Sequence, residues 1–272
     1  MTNPRSASPS SRPQLQGRTG SDPSRRNAPT DGAAPLSKKK SNALLSALPD
    51  NVFDQLSSDM KEVEIARGHV FFEPEQALEF AYFPNSGLLS VLAVMEDGTS
   101  AEIACVGSEG MVGMETLLGN GVLNLRRCIG QSPGTAIRIR MTRLKHVFDG
   151  SAPFRSLILS YAQCWIHEIS QTAACNRLHP VEERLARWLL ICVDRTRSTR
   201  LELTHDFLAN MLGVRRSTVT IATGILQKAN VIRYTRGHIE VLDRQRLQKV
   251  SCECYALLKE NGRHLSRNNF KS

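Results

Sequence analysis

The segment LELTHDFLANMLGVRRSTVTIATGILQKANVIRYTRGHIEVLDRQRL, residues 201–247, restricts the fold more than any other part of the chain. Thr204 is suited to cap a helix, and Asp206 falls in the first turn, where a carboxylate is favoured. That helix is expected to run to about Leu212, with Gly213 as the left-handed turn residue. A second helix opens near Arg215-Arg216 and continues through Leu226. Phe207, Leu208, Leu212, Val214, Val219 and Leu226 would pack the two together. Arg215, Arg216, Ser217, Thr218 and Thr220 then lie at the start of the second helix, several of them pointing outward. A helix, a glycine turn and a helix with a polar start make the helix-turn-helix geometry, in which the second helix enters the major groove by its N-terminal end. Two adjacent cations are disfavoured at a helix N-terminus, which already carries partial positive charge. Phosphates and guanine edges would stabilise them there. Arg216 is the candidate for a bidentate guanine contact, and Arg215 for a phosphate or a base. NVIRYTRGHIEVL follows with the alternation of a β-hairpin turning at Gly237. Arg233, Arg236 and His238 fall near its tip, a wing suited to phosphates.

The charge distribution agrees with this. Of the net +9, residues 176–272 hold 18 Lys/Arg against 9 Asp/Glu, whereas residues 43–175 hold 9 against 15. A basic C-terminal part joined to an acidic middle suits a polyanionic partner, double-stranded DNA above all. Residues 1–42 contain 6 of the 12 prolines, no aromatic residue and the run SKKKSN. They cannot bury enough apolar area to offset ordering, so a disordered tail is expected.

Between tail and helix-turn-helix the texture changes twice. Leu44, Leu45, Leu48, Val52 and Leu56 fall at helical spacing with a break at Pro49-Asp50, which predicts two short helices. From Val63 to Ile139, short apolar or alternating runs are separated by turn signals at Pro74, Pro84-Asn85-Ser86-Gly87, Asp97-Gly98 and Gly107, the spacing of a β-sandwich or jelly roll. VMEDGTSAEIA reads as a hairpin with Asp-Gly in the turn. Residues 152–178 then lack glycine and, after Pro153, proline. Phe154, Ile158, Tyr161, Trp165, Ile169 and Thr172 recur at steps of three and four. That predicts a long helix, part of whose stripe meets a second copy of the chain. His179-Pro180 breaks it. VEERLARWLLICVDRT is a second amphipathic helix, with Leu185, Trp188, Leu189 and Cys192 on one side and a Glu183–Arg187 pair on the other.

The seven cysteines are scattered, which in a reducing compartment predicts free, partly buried thiols. Cys252-Glu253-Cys254 is the closest pair. It lacks the CxxC spacing and a neighbouring histidine cluster, so no metal site is expected. No P-loop, nucleophile elbow or metal-ligand motif points to an enzyme. No apolar run is long enough for a membrane span, and no h-region follows the basic N-terminus, so a cytoplasmic location is expected.

Over about residues 43–250 the order of these features resembles the Crp/Fnr family of bacterial transcription regulators. The resemblance implies an α+β fold: a jelly-roll-like N-terminal β-roll of the cyclic-nucleotide-binding type (43–150), a dimerisation helix (151–178), a winged helix-turn-helix (179–250) and a C-terminal helix and tail (251–272). LANMLGVRRSTVTIATGIL is similar to the family's recognition motif, whose leading Arg, polar and Thr positions fall on Arg216, Ser217 and Thr218. Ser217 stands where several members have glutamate, and Ile221 where a second recognition arginine often falls. In cyclic-AMP-binding members a Gly-Glu pair and an Arg followed by Ser or Thr hold the nucleotide. Here Gly113 matches, but Met114 takes the glutamate position and Glu115 is offset by one. Arg126 and Arg127 are present, but Cys128 follows them. The candidate effector residues are therefore Gly113, Glu115, Arg126 and Arg127, in a degenerate cassette with no cofactor assigned and an effector of unspecified chemistry. The family's N-terminal iron–sulfur cysteines are missing, since none precedes Cys105. His69, His146 and His167 read as structural rather than haem ligands. The implied partners are DNA, a second copy of the chain and, for an activator, RNA polymerase. Two alternatives stay open: an intact cyclic-AMP site, or a ligand-binding module whose basic half docks an acidic protein.

Overall fold

A computed structural model describes residues 41–119 and 124–269. Residues 1–40 of the expected tail, and 270–272 at the other end, lie outside them. Two short helices open the described chain, α1 (Ala43–Ser46) and α2 (Asp50–Ser57). Proline at 49 separates them as the pattern predicts. Asn42 is fully buried and anchors this start: its Oδ1 accepts from Leu44 and Leu45, and its Nδ2 donates to the carbonyls of Pro84 and Gly110.

Seven strands follow: β1 (Lys61–Ile65), β2 (Val70–Phe72), β3 (Phe80–Pro84), β4 (Leu88–Val94), β5 (Ser100–Val106), β6 (Arg126–Ser132) and β7 (Gly134–Arg140), with the short helix α3 (Glu115–Leu118) between β5 and β6. They form two antiparallel sheets, ordered β1-β7-β3 and β2-β6-β4-β5. The expected β4–β5 hairpin is present, with Val94 opposite Ser100 and Gly98 at φ +82°. Between the sheets lie Val63, Ile65, Phe83, Leu89, Val91, Val106, Ile137 and Ile139, all buried.

The next helix, α4 (Met141–Gly150), is absent from the sequence reading. It leads into α5 (Ala152–Leu178), whose bounds match the periodic run. The stripe expected to meet a second copy is partly spent within the chain. Phe154, Ile158, Tyr161 and Trp165 are buried in the β-roll core, and the Tyr161 hydroxyl donates to the carbonyl of Met111 at 2.9 Å. A β-roll exposes an apolar face of its own, and this helix covers it. A second face of α5 stays open, with Leu159 and Ile166, one heptad apart, 50% and 59% exposed.

Helix α6 (Val181–Thr196) begins after Pro180 at the N-cap. It is buried almost all round rather than on one side. Arg187, expected on the solvent face beside Glu183, is buried, and its Nε has no hydrogen-bond partner among the described residues. The reason is that α6 is the central helix of the C-terminal unit. It packs on α7 (His205–Leu212), α8 (Arg216–Lys228) and α9 (Arg244–Val250), and it also faces β4. The wing is a three-stranded sheet, β8-β10-β9, made by β8 (Arg200–Glu202), β9 (Ile232–Thr235) and β10 (His238–Val241). The last helix, α10 (Cys254–Asn269), lies back along α5. No helix among the described residues is long and apolar enough to cross a membrane.

Candidate nucleic-acid interface

Helix α7 is capped as its sequence requires: the Thr204 hydroxyl accepts from the Phe207 amide at 3.1 Å. It ends at Gly213, with φ +62° and ψ +42°. After one further residue, Val214, the chain reaches Arg215, extended at the N-cap of α8. Leu208, Leu212, Val219 and Leu226 are buried to 2% exposure or less and join α7 to α8. Arg215, Arg216, Ser217 and Thr220 are exposed, and Thr218 is half-buried. The next outward position is Ile221, 66% exposed. The leading face of α8 is therefore cationic, then hydroxylic, then apolar.

Two interactions hold this face in place. Arg216 Nε lies 3.2 Å from Asp206 Oδ1, a pair fully in contact with solvent and so worth little in stability. It presets the guanidinium direction without tying it up. Thr220 donates to the Arg216 carbonyl at 3.1 Å, and its oxygen lies 3.1 Å from His205 Nδ1. The His205 ring stacks on Tyr234 of the wing, with centroids 4.1 Å apart. Burial, and then the charge of Arg216, lower the imidazole's pKa, which favours the neutral ring. Its buried Nε2 has no partner among the described residues, while Nδ1 faces the Thr220 hydroxyl. Recognition helix and wing are thus linked through His205, a contact the sequence reading did not single out.

The wing turn contains Arg236 and Gly237, at φ +38° and +88°. Thr235 pairs with His238 around them, so the loop has two residues and both take positive φ, as a primed hairpin turn demands. Arg236 and His238 are exposed at its tip. Arg233 is exposed but paired, its guanidinium 3.1 Å from Glu240.

In the β-roll, the four candidate effector residues do not converge as a set. Gly113 takes φ +92° in the loop bridged to Tyr82. Glu115 is the first residue of α3. Burial raises its carboxyl pKa, and the charge of Arg126 partly offsets this. Arg126 lies over the Trp165 ring of α5, 5.3 Å from its centroid. Arg127, next along β6, is held by Glu73 at 2.7 Å. Neighbouring strand residues face opposite sides of a sheet, so the two arginines cannot grip one anion together.

The β-roll and the helix-turn-helix unit meet across β4 and β5. Leu88 and Leu92 belong to the C-terminal core, with Trp188 and Leu189. Buried Glu102 receives the Trp188 indole N–H at 2.6 Å and the Ser90 hydroxyl at 2.6 Å. Arg195 of α6 reaches the carbonyl of Cys105, Glu109 at 2.9 Å and both oxygens of Glu168 on α5. Neither group was read from the sequence. A lone Glu in a strand and an Arg late in a helix carry no local signal of what they will meet.

Cys252 and Cys254 have neither a CxxC spacing nor a histidine cluster near them in sequence, but the fold brings Cys175 and His179, from the end of α5, beside them. One ligand atom from each of the four lies within 4.8 Å of the others.

Residues 183–250 match the family model described as the Crp-like helix-turn-helix domain. The C-terminal unit is a Crp-like helix-turn-helix domain. Solved structures of Crp/Fnr regulators share the wider fold. A protein from Eubacterium rectale, assigned to the Crp/Fnr family of transcriptional regulators, is 17% identical with a TM-score of 0.63, covering 76% of this chain and 96% of its own. FixK2 from Bradyrhizobium japonicum is 14% identical with a TM-score of 0.60, covering 71% and 98%. The c-di-GMP-responsive global regulator CLP of Xanthomonas campestris is 17% identical with a TM-score of 0.59, covering 71% and 99%. At these identities the likeness is one of fold. Among curated proteins, none matches the chain by sequence. The Crp-like domain includes α8 and the wing, and with them the face described above.

Proposed function

We propose that the protein is a homodimeric, sequence-specific DNA-binding transcription regulator of the Crp/Fnr type, acting at a pseudo-palindromic operator. The observation that carries this reading is the exposed leading face of α8. Arg215, Arg216, Ser217, Thr218 and Thr220 open a recognition helix whose axis is fixed by a buried apolar seam, with a cationic wing beside it. Arg216 reads a guanine edge, and Arg215, Arg236 and His238 meet phosphates. Ile221 suits a thymine methyl group, the apolar feature of the major groove. Arg233 serves a phosphate after exchanging Glu240 for it.

The partner copy docks on the open face of α5. Ser156, Leu159, Gln163, Ile166, Ser170 and Ala173 follow one another at alternating steps of three and four, the spacing of a two-helix seam, and most are exposed along their length. Two recognition helices related by the dimer axis then read half-sites about one DNA turn apart. An effector at the β-roll would act through Trp165 and the Glu102–Trp188 contact. The separated Arg126 and Arg127 favour a cassette that does not hold cyclic AMP. As an activator, the dimer would also contact RNA polymerase.

The test is the salt dependence of binding to duplex DNA. Log affinity should fall steeply and linearly with log salt, and Arg215→Ala should reduce the slope by about 1. A shallow slope, with equal affinity for an acidic peptide, would favour docking of an acidic protein instead.

A further inference from the structure

Cys175 and His179 lie on the last turn of α5, His179 being its C-cap. Cys252 and Cys254 flank the start of α10, 77 residues later in the chain. We propose that Cys175, His179, Cys252 and Cys254 form a closed, four-ligand zinc site, three thiolates and one imidazole, that fastens the end of the dimerisation helix to the C-terminal helix.

The distances favour a single ion. Cys175 Sγ is 3.5 Å from Cys252 Sγ, and Cys254 Sγ is 3.6 Å from His179 Nδ1. With Zn–S near 2.3 Å and Zn–N near 2.0 Å, the edges of a tetrahedron are roughly 3.5–3.8 Å. An iron–sulfur cluster would hold its thiolates wider apart, because sulfides and several metals lie between them. Soft thiolates with one imidazole select zinc over the hard divalent cations. Cys175, Cys252 and Cys254 are 5% exposed or less, and they form a buried cluster separate from both apolar cores. Four protein ligands, three of them buried, mark a structural rather than a catalytic zinc.

The surroundings are those of a metal site. His179 Nε2 lies 3.2 Å from Glu253 Oε2, which fixes the ring proton on Nε2 and turns the Nδ1 lone pair toward the thiols. Gln171 donates an amide hydrogen to Cys254 Sγ at 3.0 Å. Three thiolates and Zn2+ carry a net charge of −1. Two arginines buried on α6, Arg184 and Arg187, would offset that charge, and Arg184 is held beside Cys175 by Asn176, whose Oδ1 accepts from its Nε at 3.1 Å. That arrangement also accounts for a buried cation on a helix expected to be amphipathic.

The location gives the ion its consequence. Pro180 separates α5 from α6, so His179 sits at the joint between the long helix and the Crp-like domain. Zinc there ties the end of α5, next to the α5–α6 joint, to the start of α10, which also packs on α6. The site stands whether or not the chain binds DNA.

The experiment is metal analysis of the full chain, purified under reducing conditions with any histidine tag removed. About one zinc per chain is expected, falling to background in His179→Ala and in the Cys175→Ser/Cys254→Ser double variant. Cobalt reconstitution of the unmutated chain provides a readout that does not depend on the variants folding. It should give strong visible bands of tetrahedral cobalt and an ultraviolet thiolate-to-metal band. Zinc retained by the double variant, iron with sulfide in its place, a Cys175–Cys252 disulfide found by thiol counting, or a weak octahedral cobalt spectrum would overturn the proposal.

Discussion

Replacing Trp188 with phenylalanine removes one hydrogen-bond donor from the joint between the β-roll and the Crp-like domain. The indole N–H reaches Glu102 Oε1 at 2.6 Å, and both residues are buried, at 3% and 6% exposure. A hydrogen bond to a charged acceptor is worth about 1.5–3 kcal/mol, and one to a neutral acceptor about 0.5–1.5. With Glu102 ionised, Trp188→Phe should therefore lower the stability of the chain by at least ~1.5 kcal/mol, or roughly 3–6 °C at the midpoint for a chain of this size. Phenylalanine also leaves packing unfilled. A double-mutant cycle with Glu102→Gln cancels that loss, because it appears on both sides. Glutamine keeps an acceptor for the indole and removes the charge, so the cycle should return a coupling of about 1 kcal/mol. Burial raises the Glu102 pKa above the usual carboxylate range, with Ser90 and Trp188 opposing the shift. A carboxyl with a raised folded pKa contributes stability below its unfolded pKa and loses it as pH rises through the folded value. The Trp188→Phe penalty should accordingly be smaller below the folded pKa of Glu102 and grow as pH rises through it. Urea melts of the four proteins at two pH values measure this. Additive effects within about 0.3–0.5 kcal/mol, or a penalty independent of pH, would refute the role given to this pair.

Arg216→Ala should cost about 1–3 kcal/mol on the preferred operator and relax selection at one base of each half-site, as read by competition binding; equal losses on specific and random DNA would remove Arg216 from base reading. Gly213→Ala should destabilise the Crp-like domain by about 1–2 kcal/mol in a thermal melt, a cost of the left-handed backbone. Steric conflict adds little there, since the new methyl would meet nothing nearer than Ala101 Cβ at 3.5 Å. Calorimetric titration with cyclic AMP should give no saturable micromolar heat, because Arg127 is held by Glu73 and Cys128 stands in the hydroxyl position. A clear isotherm would restore an intact cassette.

The helix-turn-helix was legible because every cue in it is local. Thr204, Gly213 and the spacing of Leu208, Leu212, Val219 and Leu226 lie within one short window and act through neighbours in sequence. The length of α5 was legible for the same reason. Which of its faces meets what was not: Phe154, Ile158, Tyr161 and Trp165 pack on the β-roll, while Leu159 and Ile166 remain open. Burial of Arg187 depends on α6 becoming the central helix, which no window around it reveals. The third wing strand, β8, has only three residues and pairs with β10 nearly forty positions later. The cysteine–histidine cluster was hidden most completely, since its ligands come as two pairs from distant segments: Cys175 and His179 stand at i,i+4 on one helix face, but Cys252-x-Cys254 lacks the CxxC spacing.

The central claim is that the leading face of α8 reads DNA sequence as one half of a dimer. Selection of bound duplexes from a random pool by the purified full chain tests it most directly. The account predicts enrichment of one pseudo-palindrome, with half-sites about one helical turn apart. A pool that stays random, or a single half-site without its mate, would contradict it.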